Sequence, residues 1–393
     1  MIANKDSLSE RPGSGGYYAE TVAGGERVRA YVPPALSASL VDQLGTEIFD
    51  LMERANRALG RLDGVSQLFS DPSLFIYFYV RKEAVLSSQI EGTQSSLSDL
   101  LLFESNEEPG VPLDDVEEVS NYVRAMTHGL SRLRNDGFPL SLRLLREIHE
   151  ILLSGTRGND KTPGEFRRSQ NWIGGSRPGN ATFVPAPPNL VPELLADLEK
   201  YLHQQETPVL LKAAFAHVQF ETIHPFLDGN GRLGRLLITF LLCSEDVLIE
   251  PLLYLSLYFK NHRDTYYDLL QRVRLYGEWQ QWVRFFLEGV RETSQQAFQT
   301  ARHIVAITEE DRRMIESAGR RRGSMLQIHE AFRRRPIMGA GDLAGATQLS
   351  PPTVNAALEA LTTLGIIKEI TGKKRDRVFV YERYLSTLDR GVG

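Results

Sequence analysis

The sequence predicts a mainly α-helical protein: a helical region, a helical core interrupted by a β-hairpin flap, and a C-terminal winged helix. Three observations carry this reading. Apolar residues recur at helical spacing, as at Leu40, Leu44, Ile48 and Leu51 and again at Leu211, Phe215 and Val218. Helix punctuation is explicit, with Asp71-Pro72 as a start and Gly92 as a stop. β-branched and aromatic runs bracketed by Gly or Pro are few, at Ala181–Pro185 and near the C-terminal end.

Taken in order, residues 1–33 open on a polar, glycine-rich stretch and read as a flexible tail. Residues 34–115 form a helical region that ends in the acidic, Gly- and Pro-containing stretch Glu104 to Asp115, read as a linker or surface loop. Residues 116–302 form the core, with at least five helical segments. Residues 312–393 form the last module. Its helices are Met325–Phe332, Ala340–Ala346 and Pro351–Leu364, the last with Ser350 as N-cap and Gly365 as stop. Strands Ile366–Thr371 and Arg377–Tyr381 flank the turn Gly372-Lys373-Lys374-Arg375-Asp376, as in a wing. From Arg320 to Arg377 there are 8 Arg and 3 Lys against 5 Asp and Glu. DNA binding through the third helix and this basic wing is one reading. The favoured one is dimerisation or target docking, because Pro351, Thr353, Asn355 and Ala356 offer few base-reading groups.

Composition bounds the function classes. With 393 residues, 42% hydrophobic and 24% charged, the chain can bury ordinary cores in two or three domains. A net charge of −5 argues against nucleic-acid binding by the whole chain. Its one cysteine, Cys243, excludes an internal disulfide framework and suits a reducing compartment. The apolar run around it ends at Glu245 and Asp246, too short to span a bilayer. No basic-then-apolar leader pattern opens the chain, so a cytoplasmic protein without membrane association is expected.

The most informative stretch is His224-Pro225-Phe226-Leu227-Asp228-Gly229-Asn230-Gly231-Arg232-Leu233-Gly234-Arg235. The helix before it should stop at His224, because a residue preceding proline is driven out of the α region. Gly229 and Gly231 permit a tight turn and close approach of a ligand to the backbone. A second apolar helix starts near Gly231, and its unpaired N–H groups and dipole favour an anion. Arg232 and Arg235, three residues apart in its first turns, present guanidinium forks suited to phosphate oxygens. Asp228 is a hard oxygen ligand of the kind Mg2+ prefers, and His224 is placed to deprotonate a hydroxyl.

This stretch resembles the signature of the Fic family, HxFx(D/E)GNGRxxR, at every defined position. The resemblance implies transfer of AMP from ATP to a Ser, Thr or Tyr hydroxyl of a protein substrate. His224 is then the base and Asp228 the Mg2+ ligand. Gly229, Asn230, Gly231, Arg232, Leu233, Gly234 and Arg235 hold the phosphates, with Arg235 on the γ-phosphate. Gly231 favours nucleotidyl transfer, since kinase-type relatives carry Lys there. The resemblance also makes Ala181–Pro185 the flap over the site, with Thr182, Phe183 and Val184 pairing along an extended target segment. It assigns Asn261 and Tyr267 to the nucleoside pocket. Ser87-Ser88-Gln89-Ile90-Glu91-Gly92 resembles the inhibitory motif (S/T)xxxE(G/N) of the family. Ser87 and Glu91 share one helix face, and a carboxylate at a helix C-terminus is unfavourable unless a partner such as Arg235 compensates it. The alternatives are net AMP removal with Glu91 orienting water, and a DNA-binding regulator that uses the site as a nucleotide sensor. A homodimer is a further expectation.

Overall fold

The computed structural model of the chain describes residues 15–65, 73–104, 109–373 and 376–389. The expected N-cap Asp71 and Pro72, and Lys374 and Arg375 of the wing, lie outside the described residues.

The chain opens on strands β1 (Tyr17–Ala23) and β2 (Glu26–Val32), an antiparallel hairpin in register from Tyr17↔Val32 to Ala23↔Glu26. This corrects the expected flexible tail over residues 17–32. The alternation Val28, Ala30, Val32 marks β2, and these side chains are buried. Helices α1 (Thr46–Asp63), α2 (Ser73–Ile90) and α3 (Leu97–Glu104) follow, then α4 (Leu113–Arg134), α5 (Leu142–Leu153) and α6 (Val191–His203). The expected surface linker is more constrained than its composition suggests. Glu104 ends α3 and takes a two-pronged ion pair from Arg81, while Asp115 lies buried in α4.

Helices α7 (Val209–Ile223) and α8 (Asn230–Ser244) form the centre of the core, and every residue from Leu210 to Ile223 is buried. A helix that carries polar residues and is still buried on all sides must place its polar groups against partners. His217 does so through Gly234 O at 2.9 Å and Tyr266 Oη at 2.8 Å. Gly234 is a packing glycine: a Cβ there would lie 2.7 Å from the buried Glu221 Oε1 and crowd Phe220 and His217, so a side chain here would displace polar groups of α7.

Helices α9 (Ser256–Asn261), α10 (Arg263–Tyr276) and α11 (Trp279–Glu316) complete the core. Helix α11 is 38 residues long and runs without interruption through the expected gap between core and last module, so no linker separates them there. It packs along α1 and buries Trp282, whose indole N–H donates to Ala214 O at 2.9 Å.

Beyond α11 come α12 (Arg322–Arg334), β3 (Ile337–Gly339), α13 (Ala340–Thr347), α14 (Pro351–Thr363), β4 (Lys368–Glu369), β5 (Val378–Val380) and α15 (Glu382–Asp389). The strands form an antiparallel sheet ordered β3-β5-β4. The three helices and two strands read from sequence are present, the strands shorter than expected. Strand β3 and α15 were not anticipated, since a three-residue strand and an eight-residue helix give too short a pattern to read. Ser350 caps α14 by position, but its hydroxyl meets Thr353 Oγ1 at 2.8 Å and no backbone N–H.

The module shares a core with α2. Tyr384 of α15 packs on Phe78 of α2 with ring centroids 5.6 Å apart, and Arg335 donates to Glu104 O at 3.2 Å. Buried Asp311 of α11 accepts from Tyr381 Oη and from Arg383. Tyr384→Ala should therefore cost about 3–5 kcal/mol of stability, the usual range for removing a buried aromatic ring. A chemical denaturation midpoint equal to that of the parent protein would show that this contact carries no weight.

Candidate functional site

Three pieces converge on one point: the end of α7, the start of α8 and the end of α2. His224 caps α7 in the left-handed conformation, φ 49° and ψ 62°, with its N–H donating to Phe220 O at 2.9 Å. A side chain at positive φ is uncommon outside glycine and costs roughly 1–3 kcal/mol. Here it turns the imidazole out of the helix line. Its Nδ1 is buried without a hydrogen-bond partner. Burial, then the charges of Arg274 and Arg167, lower the His224 pKa to about 3. The ring is thus neutral throughout the physiological range and can accept a proton from a nearby hydroxyl.

Five residues on, Gly229 adopts φ 74° and α8 begins at Asn230. The first intrahelical bond is from Leu233 N to Gly229 O, so the N–H groups of Asn230, Gly231 and Arg232 have no partner within the helix. The Asn230 side chain is committed elsewhere: Oδ1 accepts from Phe226 N–H and Nδ2 donates to Phe226 O, each at 2.9 Å. It pins the loop, and what it offers an anion is its main-chain N–H. Arg232 is buried, with Nη1 on Glu118 Oε2 at 3.1 Å and Nη2 3.8 Å from Asp228 Oδ1. Its Nε has no partner, a spare donor beside the helix N-terminus. Leu233 is a core residue that supplies only its backbone.

Asp228 is half-exposed at the rim of this cradle, and Oδ1 accepts from Gly229 N–H at 2.6 Å. Among the described residues no group of three or more His, Cys, Asp or Glu gathers as a cation cage. A single carboxylate beside a phosphate cradle nevertheless fits Mg2+, which is held by one or two carboxylates together with substrate phosphates.

Arg235 is 2% exposed, and its Nε and Nη2 are engaged by the end of α2 and the turn that follows it. Its Nε donates to Ser87 Oγ at 2.8 Å, and Nη2 donates to Ser87 O at 3.0 Å and to Glu91 Oε1 at 2.7 Å. Burial alone would lower its pKa; the Glu91 charge overcomes this and holds it above the ordinary value. Glu91 follows the last residue of α2, in a turn closed by Gly92 at φ 106°. Its carboxylate lies over the first turn of α8, where a Cβ on Gly231 would run into Oε1. Arg263 of α10 donates to Ile90 O at 3.2 Å and covers the negative end of α2. A carboxylate therefore sits where the helix N-terminus and Arg235 favour an anion.

The flap is present as one antiparallel bridge, with Ile173 N–H to Phe183 O at 2.8 Å and Phe183 N–H to Ile173 O at 3.1 Å. Its outer edge is not open at Val184, because Tyr31 of β2 donates to Val184 O at 2.9 Å. Thr182 O accepts from Gln271 Nε2 at 3.4 Å. The chain itself fills much of the edge that the sequence assigned to a target. Tyr267 lies at the mouth, 38% exposed, under the Arg263 guanidinium at 5.2 Å. Asn261 is exposed at the end of α9.

Sequence reasoning missed several supporting groups. His149 of α5 donates from Nε2 to Asp228 O at 3.0 Å, accepts at Nδ1 from Gly164 N–H at 2.9 Å, and stacks on Phe226 at 3.7 Å. With both ring nitrogens thus engaged and burial lowering its pKa to about 4, it is a neutral strut for the loop. Glu118, which holds Arg232, and the buried Arg167 and Arg274 were also unassigned. A lone His or Glu on an apolar helix face gives no signal of its partner.

Fold and site together define a helical protein in which a histidine ends one buried helix and the next opens on free N–H groups flanked by two buried arginines. Two stretches of the chain match models of one family: residues 49–131 match that described as Fic/DOC family N-terminal, and residues 139–242 that described as Fic/DOC family. It is 29% identical over 266 residues to a protein named protein adenylyltransferase Fic from Culex quinquefasciatus, covering 65% of this chain and 49% of that protein. It is 31% identical over 191 residues to a probable protein adenylyltransferase from Aquifex aeolicus, covering 47% and 54%. The chain thus spans about half the length of the curated relatives it matches. The crystal structure of a Fic family protein from Desulfovibrio desulfuricans G20 shares the fold with a TM-score of 0.59, at 20% identity, covering 89% of this chain and 98% of that one.

Proposed function

We propose that the protein transfers AMP from Mg-ATP to a Ser, Thr or Tyr hydroxyl of a target protein, and that Glu91 restrains the reaction. The observation that carries the reading is the pairing of Arg235 with Glu91 over Gly231, in the first turn of the helix that follows the His224 turn. The relatives named as adenylyltransferases support the chemistry.

In this mechanism the triphosphate lies along the start of α8, on the N–H groups of Asn230, Gly231 and Arg232 and the guanidinium groups of Arg232 and Arg235. His224 takes the proton from the target hydroxyl as its oxygen attacks the α-phosphorus. The bond from that phosphorus to the α,β-bridging oxygen breaks, and pyrophosphate leaves. Asp228 would hold a magnesium ion, which supplies charge neutralisation on the phosphates. His149 keeps the Asp228 backbone in place, and Arg167 and Arg274 hold the His224 turn. With Glu91 on Arg235, the γ-phosphate lacks its clamp and the α-phosphate is displaced from the line of attack. Such positioning accounts for much of the rate in phosphoryl-type transfer. The C-terminal sheet and helices are read as a winged-helix module for docking or assembly.

Incubation with ATP labelled on the adenine or α-phosphate, alone and with host lysate, tests this directly. Mass spectrometry should find AMP on protein hydroxyls, including those of the protein itself. Transfer of the γ-phosphate instead of AMP, or no transfer by the Glu91→Gly variant with Mg-ATP, would overturn the proposal.

A further inference from the structure

The last turn of α7 shows where the strain at His224 is held. Two buried arginines from different parts of the chain meet it. Arg167, from the loop that leads into the flap, donates from Nε to His224 O at 2.9 Å and from Nη2 to Ile223 O at 3.3 Å. Its own N–H donates to Pro225 O at 2.9 Å. Arg274, in the last turn of α10, donates from Nη2 to Glu221 O at 3.1 Å and from Nε to Thr222 Oγ1 at 3.2 Å. Every residue from Glu221 to Pro225 therefore offers an oxygen to one of these two arginines. Helix C-terminal carbonyls need donors, and a left-handed residue in front of proline cannot obtain them from a continuing helix.

We propose that Arg167 and Arg274 are positioning residues for His224, a two-sided guanidinium clamp that sets the left-handed turn and aims the imidazole at the target hydroxyl. Both also reach the flap. Arg274 lies over the Phe183 ring at 4.3 Å, and Arg167 donates from Nη2 to Ala186 O at 2.5 Å, three residues beyond Phe183. The clamp thus couples the place where a target would dock to the orientation of the base. Burial of two cations next to one imidazole is costly unless their donors are used, and here the donors are used on the turn itself. The charges that bear on His224 are those of these two arginines; Glu221, on α7, meets it through its main chain, and its carboxylate lies toward Gly234. Glu221 is itself buried with Oε1 unpartnered, which raises its carboxyl pKa to about 7.

The inference rests on the reading of His224 as the base, and its test separates the two. In the intact protein, the His224 ring is followed by proton NMR as pH is lowered, with His224→Ala assigning the signal. The wild-type ring should stay neutral to about pH 4 or below. Arg274→Gln removes a neighbouring cation, which lets the imidazolium form more readily, so its midpoint should rise by about one unit or more. The low-pH limb of AMP transfer should move up with it, since the base is lost as it protonates. Arg274→Lys keeps the charge and loses the fork; its midpoint should stay near wild type while kcat falls and KM for ATP does not change. Arg167→Lys should do the same from the other side, and stands in if Arg274→Gln does not fold. An unshifted His224 midpoint in folded Arg274→Gln would overturn the clamp, as would wild-type kcat in both lysine variants. Absence of AMP transfer even from the Glu91→Gly variant would sink the enzymatic reading, while the NMR midpoints would still decide whether the arginines govern the ring.

Discussion

His224→Ala is expected to lower AMP transfer by ~10²–10⁴, the usual contribution of a general base. ATP affinity should stay within a few-fold. The separation follows from the geometry: phosphate contacts come from the start of α8 and from Arg235, whereas the His224 imidazole extends from the end of α7 with Nδ1 unpartnered. The turn need not collapse, because its carbonyls are held by Arg167 and Arg274. Calorimetric titration with a non-hydrolysable ATP analogue and a labelling time course would check the two halves independently. Labelling at the wild-type rate would remove His224 from the mechanism. A collapse in nucleotide affinity would mean that the ring binds phosphate.

The chain made some of this architecture legible and hid the rest for physical reasons. The motif from His224 to Arg235 could be read because its chemistry is local: a proline stop, glycine turns and a helix start lie within a dozen residues. The start of α8 was placed one residue late, at Gly231, a normal shift for a helix end. The Glu91–Arg235 pair could be anticipated because a carboxylate closing a helix is electrostatically out of place and calls for a cation. The fate of the Asn230 side chain could not, since an asparagine beside a loop serves equally to bind a ligand or to pin the backbone. The β1–β2 hairpin escaped notice because its polar and apolar residues alternate next to glycine-rich chain, and composition pointed to a tail. The clamp escaped for the opposite reason: Arg167 and Arg274 are 107 positions apart, and nothing in the sequence around either names the turn both serve. Long-range hydrogen bonds to main-chain oxygens leave no trace in residue identity, because every residue has that oxygen.

Glu91→Gly is expected to raise AMP transfer, self-modification included, by roughly 5–150-fold, the range of a 1–3 kcal/mol coupling between sites. In the structure Arg235 has three hydrogen bonds to Ser87 of α2 and to Glu91 just beyond it, and Glu91 supplies the only charge among these partners. Removing that charge leaves a buried guanidinium held by one hydroxyl and one carbonyl, beside the free N–H groups of α8. An unpaired buried cation is costly, and a triphosphate relieves it. Ser87→Ala should act in the same direction but more weakly, because the Ser87 main-chain carbonyl and Glu91 still hold Arg235. The decisive comparison is the double variant. Arg235→Ala alone should be poorly active, and adding Glu91→Gly should restore nothing, since both changes act through one contact and cannot add. Initial rates of labelling for the four proteins give the coupling directly. Additive effects would place Glu91's influence elsewhere. A fall in net modification of a target, with the forward rate unchanged, would instead favour the reading in which Glu91 orients water for AMP removal.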